Sequence, residues 1–224
     1  MVAQIEVQGI TKRYTEGPLV VDAVRGVSLV VEPGELVLLG GPSGSGKTTL
    51  LSMMGCILKP TSGAVCLMGE PVTRWDESSL PRLRRRHVGF IFQHFNLFSA
   101  LNAAENVALA LELKGMRGPA AIRKARDLLE AVGLGPRWNF LPRDLSGGEK
   151  QRVSIARALA GDPPIILADE PTGNLDSKTG RQAMELIREL TRRERKSTVI
   201  VTHDPRIEDL ADRVHRMEDG RLVA

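Results

Sequence analysis

Apolar residues along this chain gather into short runs bounded by glycine, proline and charged positions. Residues 4–10, 27–31, 36–40, 64–68, 88–92, 165–169, 198–202 and 214–217 are rich in Val, Ile and Leu, some alternating with polar residues and some continuously apolar. Runs of that length and composition predict strands. Neighbouring runs suit hairpins, and runs separated by helical stretches suit parallel βαβ units. The pattern therefore predicts a mixed sheet, with an antiparallel layer from the first third beside a parallel sheet.

Between Gln93 and Gly161 the strand pattern stops. Residues 103–114 place Val107, Leu109, Leu111 and Leu113 in one segment, with Glu105 early and Lys114 late, the polarity a helix prefers. Residues 120–132 set Ile122, Ala125, Leu128, Leu129 and Val132 at helical spacing, with charges on the opposite face. A third helix is expected over 150–160, after a glycine turn. These segments predict a single domain, 1–224, in which a helical subdomain (94–161) is inserted into an α/β core formed by 1–93 and 162–224.

One connection in that core carries chemistry. Gly41-Pro42-Ser43-Gly44-Ser45-Gly46-Lys47-Thr48 is a complete G-x-x-x-x-G-K-[ST] loop, preceded by the apolar run Leu36-Val37-Leu38-Leu39 and followed by a helical stretch, 48–54. Glycines let several backbone N–H groups point into one concavity, and the helix N-terminus behind them favours negative charge. Such a loop holds phosphates. Lys47 is expected to reach the β- and γ-phosphates, Thr48 to ligate Mg²⁺ and Thr49 to bond the α-phosphate.

Three further strand ends belong to the same edge. Ile165–Asp169 runs out into Asp169 and Glu170, and ligands of α/β sheets gather at the carboxyl ends of strands. Asp169 suits a Mg²⁺ partner acting through water, and Glu170 a general base for the attacking water. His203 follows residues 198–202 and suits a γ-phosphate contact that orients base and water. Gln93 follows residues 88–92 and suits Mg²⁺ or water. A second phosphate-friendly turn, Leu145-Ser146-Gly147-Gly148-Glu149, stands far behind the first. Ser146, Gly147 and Gly148 reach a phosphate only from another direction, which suggests a nucleotide site completed by two copies of the chain.

Composition narrows the class. Hydrophobic content of 42% suffices for a core, and 26% charged residues give no sign of disorder. The net charge of +4 permits anionic partners without demanding them. Cys56 and Cys66 are not spaced as metal ligands and read as small core side chains. Trp75 and Trp138 read as packing residues. No apolar stretch approaches the ~18–20 residues needed to span a bilayer. The first residues alternate like a strand rather than a secretory signal. The expectation is a cytoplasmic protein with no span of its own.

Taken together, these motifs resemble the ATP-binding cassette (ABC) ATPases across essentially the whole chain. Residues 145–152, LSGGEKQR, match the family signature; Gln93 matches its glutamine loop; His203 matches its switch histidine. The resemblance implies that Tyr14 stacks on adenine and that Asp176, in the Asn174-Leu175-Asp176 loop, crosses a dimer interface. Residues 169–176, DEPTGNLD, further resemble the lipoprotein-release, macrolide-export and heterocyst glycolipid-export subfamily. Two departures are mild: Gly40 stands where an apolar residue is usual, and Glu149-Lys150 replaces paired glutamines.

What the resemblance implies is an ATPase with a P-loop core, binding ATP and Mg²⁺ in a head-to-tail dimer. It would drive a separate integral membrane permease from the inner face of the membrane, in the export direction. Phe95, Leu97, Phe98 and Leu101 are candidates either for a permease groove or for packing between subdomains. The basic run Arg82–His87 reads as a solvated helix face, with anionic lipid or the partner as the alternative it could meet. No nucleic-acid partner is expected: repair and chromosome ATPases insert long coiled coils, and no extended heptad run lies between Lys47 and Ser146. A non-transport scaffold role stays open on sequence alone.

Overall fold

The computed structural model describes residues 3–74 and 76–223; Trp75, expected to pack, lies outside the described residues. Ten strands and six helices are seen among the described residues. In chain order they are β1 (Ile5–Glu16), β2 (Leu19–Val31), β3 (Leu36–Gly40), α1 (Lys47–Met54), β4 (Ser62–Leu67), β5 (Glu70–Pro71), α2 (Leu80–His87), β6 (Val88–Phe92), α3 (Ala103–Leu113), α4 (Pro119–Ala131), α5 (Gly147–Leu159), β7 (Ile165–Asp169), α6 (Ser177–Arg193), β8 (Ser197–Val201), β9 (Arg213–Glu218) and β10 (Arg221–Val223). One sheet is antiparallel, in the order β2-β1-β4-β5. The other has the order β10-β9-β3-β8-β7-β6, parallel throughout except for the edge pair β9–β10. This is the mixed architecture of a P-loop core.

The parallel sheet is apolar on both faces because both are covered. Every residue of β3 and of β8 is buried. Alternation sorts their side chains between two cores. Leu36, Leu38, Ile166, Ala168 and Ile200 point toward α3, α5 and α6. Val37, Leu39, Ile165, Leu167, Val199 and Val201 point toward α1 and the antiparallel sheet, where they meet Leu50, Leu51, Met53, Met54, Ile5, Val7 and Val65. Helix α1 is thus wedged between the sheets, and its N-terminus sits at the carboxyl end of β3. Truncating Leu39, fully buried, to alanine is expected to cost about 2–5 kcal/mol.

Several boundaries differ from the sequence reading. The β1–β2 hairpin continues to residues 16 and 19, well past the expected ends at 10 and 27, because its far arm pairs along the backbone while leaving Leu19, Val20 and Val21 exposed. Such an arm has no buried face to impose a pattern. Helix α5 begins at Gly147, not Lys150, because Ser146 is its N-cap and closes a capping box with Glu149. Trp138 packs against the helical core, with the Arg126 guanidinium 3.4 Å from its ring centroid. Cys56 is buried and free, and burial pushes its thiol up to about 11.

Candidate active site

The 41–48 loop turns sharply out of β3, and glycine is required at two of its corners. Gly41 has φ 141° and a Cβ there would lie 2.2 Å from the Met217 carbonyl oxygen; Gly46 has φ 98° and a Cβ would lie 2.1 Å from that of Ala23. No other residue fits either place. Pro42, Ser43 and Gly44 form the exposed rim, whereas Ser45 is buried. Lys47 is 6% exposed, and its Nζ donates to the carbonyls of Gly41 (2.8 Å) and Pro42 (2.6 Å). Burial lowers the Lys47 pKa, opposed by the negative charges of Glu170 and Asp169. The ammonium is thus held by the loop's own carbonyls.

Thr48 is the second residue of α1 and its Oγ1 donates to Asp169 Oδ1 at 3.0 Å, while Thr49 is half-buried beside it. Burial raises the Asp169 pKa, and the Thr48 hydrogen bond opposes that rise. Glu170 has φ 47°, an uncommon conformation for a residue with a side chain. It is held by its N–H to Val201 O (2.9 Å) and its carbonyl to Gly173 N–H (3.1 Å). That twist turns its carboxylate to His203, with Oε1 2.9 Å from Nδ1. The fold thus gathers Lys47, Thr48, Asp169, Glu170 and His203 at one edge, from three adjacent parallel strands.

Gln93 reaches this edge through its neighbours. Asn174 Nδ2 donates to the Gln93 carbonyl at 2.7 Å, and the Gln93 amide lies against Gly173, where an added Cβ would meet Nε2 at 2.8 Å. The loop after Glu170 and the loop after β6 are therefore joined. Phe95 and Asn96 follow with φ 60° and 49°, a strained pair. Arg157 of α5 stabilises it: Nη2 donates to Phe95 O at 2.6 Å and Nη1 donates to Asn96 O. Sequence reasoning missed Arg157, because its partners are carbonyls of a distant loop that no local pattern marks.

Other expected residues stand apart. Tyr14 is 44% exposed on the hairpin arm, with Lys12 Nζ 5.3 Å from its ring. Ser146, Gly147 and Gly148 form the first turn of α5, packed against Leu175 and Thr179 of the same chain. Among the described residues no hydrogen bond or ion pair joins that turn to the 41–48 loop. Asp176 caps α6 instead of reaching outward with both oxygens: Oδ1 accepts from Lys178 N (3.1 Å) and Thr179 N (3.0 Å). A cleft of about 710 Å³ opens between α2, β6 and α3. Its walls include Phe90, Phe92, Asn96, Leu113 and Arg157. Of Phe95, Leu97, Phe98 and Leu101, Leu97 packs against the helical core and Phe98 is 55% exposed.

Comparison with known proteins decides the family. The model of the ABC transporter family matches residues 24–173. The chain belongs to the ABC transporter family. It is 48% identical over 218 residues to an uncharacterized ABC transporter ATP-binding protein of Thermotoga maritima, covering 97% of this chain and 93% of that one. The macrolide export ATP-binding/permease protein MacB 1 of Yersinia pestis is 43% identical over all of this chain, which spans 34% of that protein. The cassette MJ0796 of Methanocaldococcus jannaschii, solved as a dimer, superposes with a TM-score of 0.89 at 42% identity, covering 98% and 97% of the two chains. A second structure of MJ0796, in a post-hydrolysis state bound to ADP and Pi, gives 0.90 at 41% identity over 98% and 97% of the chains. This ABC protein is accordingly an ATP-binding subunit and an ATPase. No helix among its described residues is long and apolar enough to cross a membrane.

Proposed function

We propose that this subunit hydrolyses Mg²⁺–ATP in a site shared by two copies docked head to tail, and that it drives a separate membrane permease from the cytoplasmic face. One observation carries the catalytic half: Thr48–Asp169 and Glu170–His203 pairs, at 3.0 and 2.9 Å, flank the buried Lys47 at one sheet edge. Lys47 supplies charge to the β- and γ-phosphates, and the N–H groups of 43–49 line the anion nest. Glu170 takes the proton of the attacking water while His203 fixes the carboxylate's direction. Tyr14 offers its exposed ring to the adenine.

The donor set suits Mg²⁺. Thr48, Asp169 and Gln93 offer hard oxygens, and no group of three or more His, Cys, Asp or Glu side chains able to hold a metal occurs among the described residues. A cation that keeps waters and phosphate oxygens needs only one or two protein ligands. When bound, the ion supplies neutralisation of charge on the transferring phosphoryl group.

The second copy is read from the presence of two phosphate-binding turns that no hydrogen bond or ion pair joins among the described residues. Ser146 caps α5, and Gly147 and Gly148 open it against Leu175 and Thr179 with no bond to their own Lys47 among the described residues, so a partner's signature turn closes each site, with Asp176 near the joint. The dimeric MJ0796 cassette supports this arrangement. The cleft beside Phe90 and Phe92 is the seat for a permease segment, and the MacB relatives, which unite ATPase and permease in one polypeptide, support both that partner and export. Steady-state phosphate release with and without Mg²⁺, and purification with the permease, test the two halves. Turnover that survives a strong chelator ends the metal assignment; a cassette that never associates with a membrane protein ends the transport role.

A further inference from the structure

The signature turn of this chain contains a carboxylate, which poses an electrostatic problem. Glu149 is the third residue of α5, and its Oε2 accepts from Ser146 N–H at 2.8 Å, while Ser146 Oγ accepts from Glu149 N–H at 3.3 Å. This reciprocal cap fixes the acid one residue from Gly148, on the turn proposed to receive a triphosphate from the other copy. An anion placed there repels the phosphate it must help enclose. The hydrogen bond from the Ser146 backbone lowers the Glu149 pKa, so the charge persists.

One residue addresses it. Arg137, at the end of the 3₁₀ turn Gly135–Arg137, brings its Nε to 3.3 Å from Glu149 Oε1, the oxygen not engaged by Ser146. Its guanidinium lies 4.5 Å from the centroid of the Phe140 ring, which supports it from behind. Arg137 and Glu149 share the wall of an open cleft with Arg152, whose Nη1 is engaged by Val132 O at 2.8 Å. Half-exposed at 47% and 26%, the pair adds little to folding. Its position, not its strength, gives it a role.

We infer that Arg137 is a positioning residue of the nucleotide clamp: it holds Glu149 against the Ser146 backbone and balances its charge, so that the turn accepts the partner copy's triphosphate. This rests on the proposed trans role of Ser146. The test is a double-mutant cycle on the intact chain, in which the ATP concentration for half-maximal dimerisation and the kcat and KM of hydrolysis are measured for Arg137→Met, Glu149→Gln and the pair. Methionine keeps an apolar stem over Phe140, and glutamine still accepts from Ser146 N–H.

Arg137→Met is expected to raise the half-maximal ATP concentration and KM by about tenfold, an effect that weakens as salt rises. The double variant is expected to match Glu149→Gln within about twofold, so that the loss depends on the carboxylate. An equal loss from Arg137→Met with and without the carboxylate, or no loss at all, overturns the inference. Ser146→Arg separates the two levels of argument. Blocked ATP-driven dimerisation in that variant beside an uncoupled cycle removes Arg137 alone. Normal dimerisation removes the trans reading, and Arg137's role with it.

Discussion

Replacing Glu170 by glutamine isolates the proposed general base from everything that binds nucleotide. The side chain is 15% exposed and its Oε1 lies 2.9 Å from His203 Nδ1. An amide of the same size keeps that contact, and the backbone bonds to Val201 and Gly173 that hold the φ 47° turn are untouched. Lys47 and Thr48 retain their geometry, so ATP binding persists. Loss of a positioned base typically costs about 10²–10⁴ in rate, or about 3–5 kcal/mol of barrier at 1.36 kcal/mol per tenfold. Phosphate release is expected to fall by that factor while ATP titration is unchanged. Because hydrolysis no longer dissolves the closed state, light scattering in ATP is expected to show an accumulated dimer. Turnover at the level of the unaltered chain refutes the assignment of Glu170 as base.

Gly46→Ala places a Cβ 2.1 Å from a backbone oxygen at φ 98°, and is expected to destabilise the fold by at least about 2 kcal/mol and abolish ATP binding, read by thermal melting and nucleotide titration. Thr48→Ala removes the hydroxyl that meets Asp169 at 3.0 Å, and is expected to raise the Mg²⁺ concentration for half-maximal activity about 10–100-fold. Acid stability follows from Asp204 and Asp212: the hydrogen bond from Arg206 lowers the Asp204 pKa, and at Asp212 burial, which raises the pKa, is outweighed by the Leu36 N–H and Arg192. A depressed carboxylate stabilises above its ordinary value of 3.8 and loses that contribution as pH falls through its folded value. Denaturant midpoints are therefore expected to hold above pH 3.8 and to drop below it. Arg206→Ala is expected to lessen that drop.

How much of this was legible depends on whether a residue's partners are local. The strand–loop–helix unit around Lys47 reads directly, since glycine at 41 and 46 answers a backbone demand visible in the text. Asp169 and Glu170 read because an apolar strand delivers them. Helix α6 is legible in principle, from Asp176 as a cap and Ala183, Met184, Ile187 and Leu190 at helical spacing, all buried. The hairpin arm carrying Tyr14 is not, since Leu19, Val20 and Val21 are 61%, 53% and 47% exposed and impose no alternation. Arg137 and Arg157 are surface-like letters whose targets arrive only through tertiary folding. The stacking of Phe90 and Phe92, ring centroids 5.5 Å apart, is likewise set by the sheet and not by any local pattern.

The shared pocket is tested most directly by a crystal structure of the Glu170→Gln variant grown with ATP. The expected result places each triphosphate between Lys47 of one copy and Ser146 and Gly148 of the other, within hydrogen-bonding distance of about 3 Å. A nucleotide enclosed by one copy, with the Ser146 turn directed to solvent, contradicts the account.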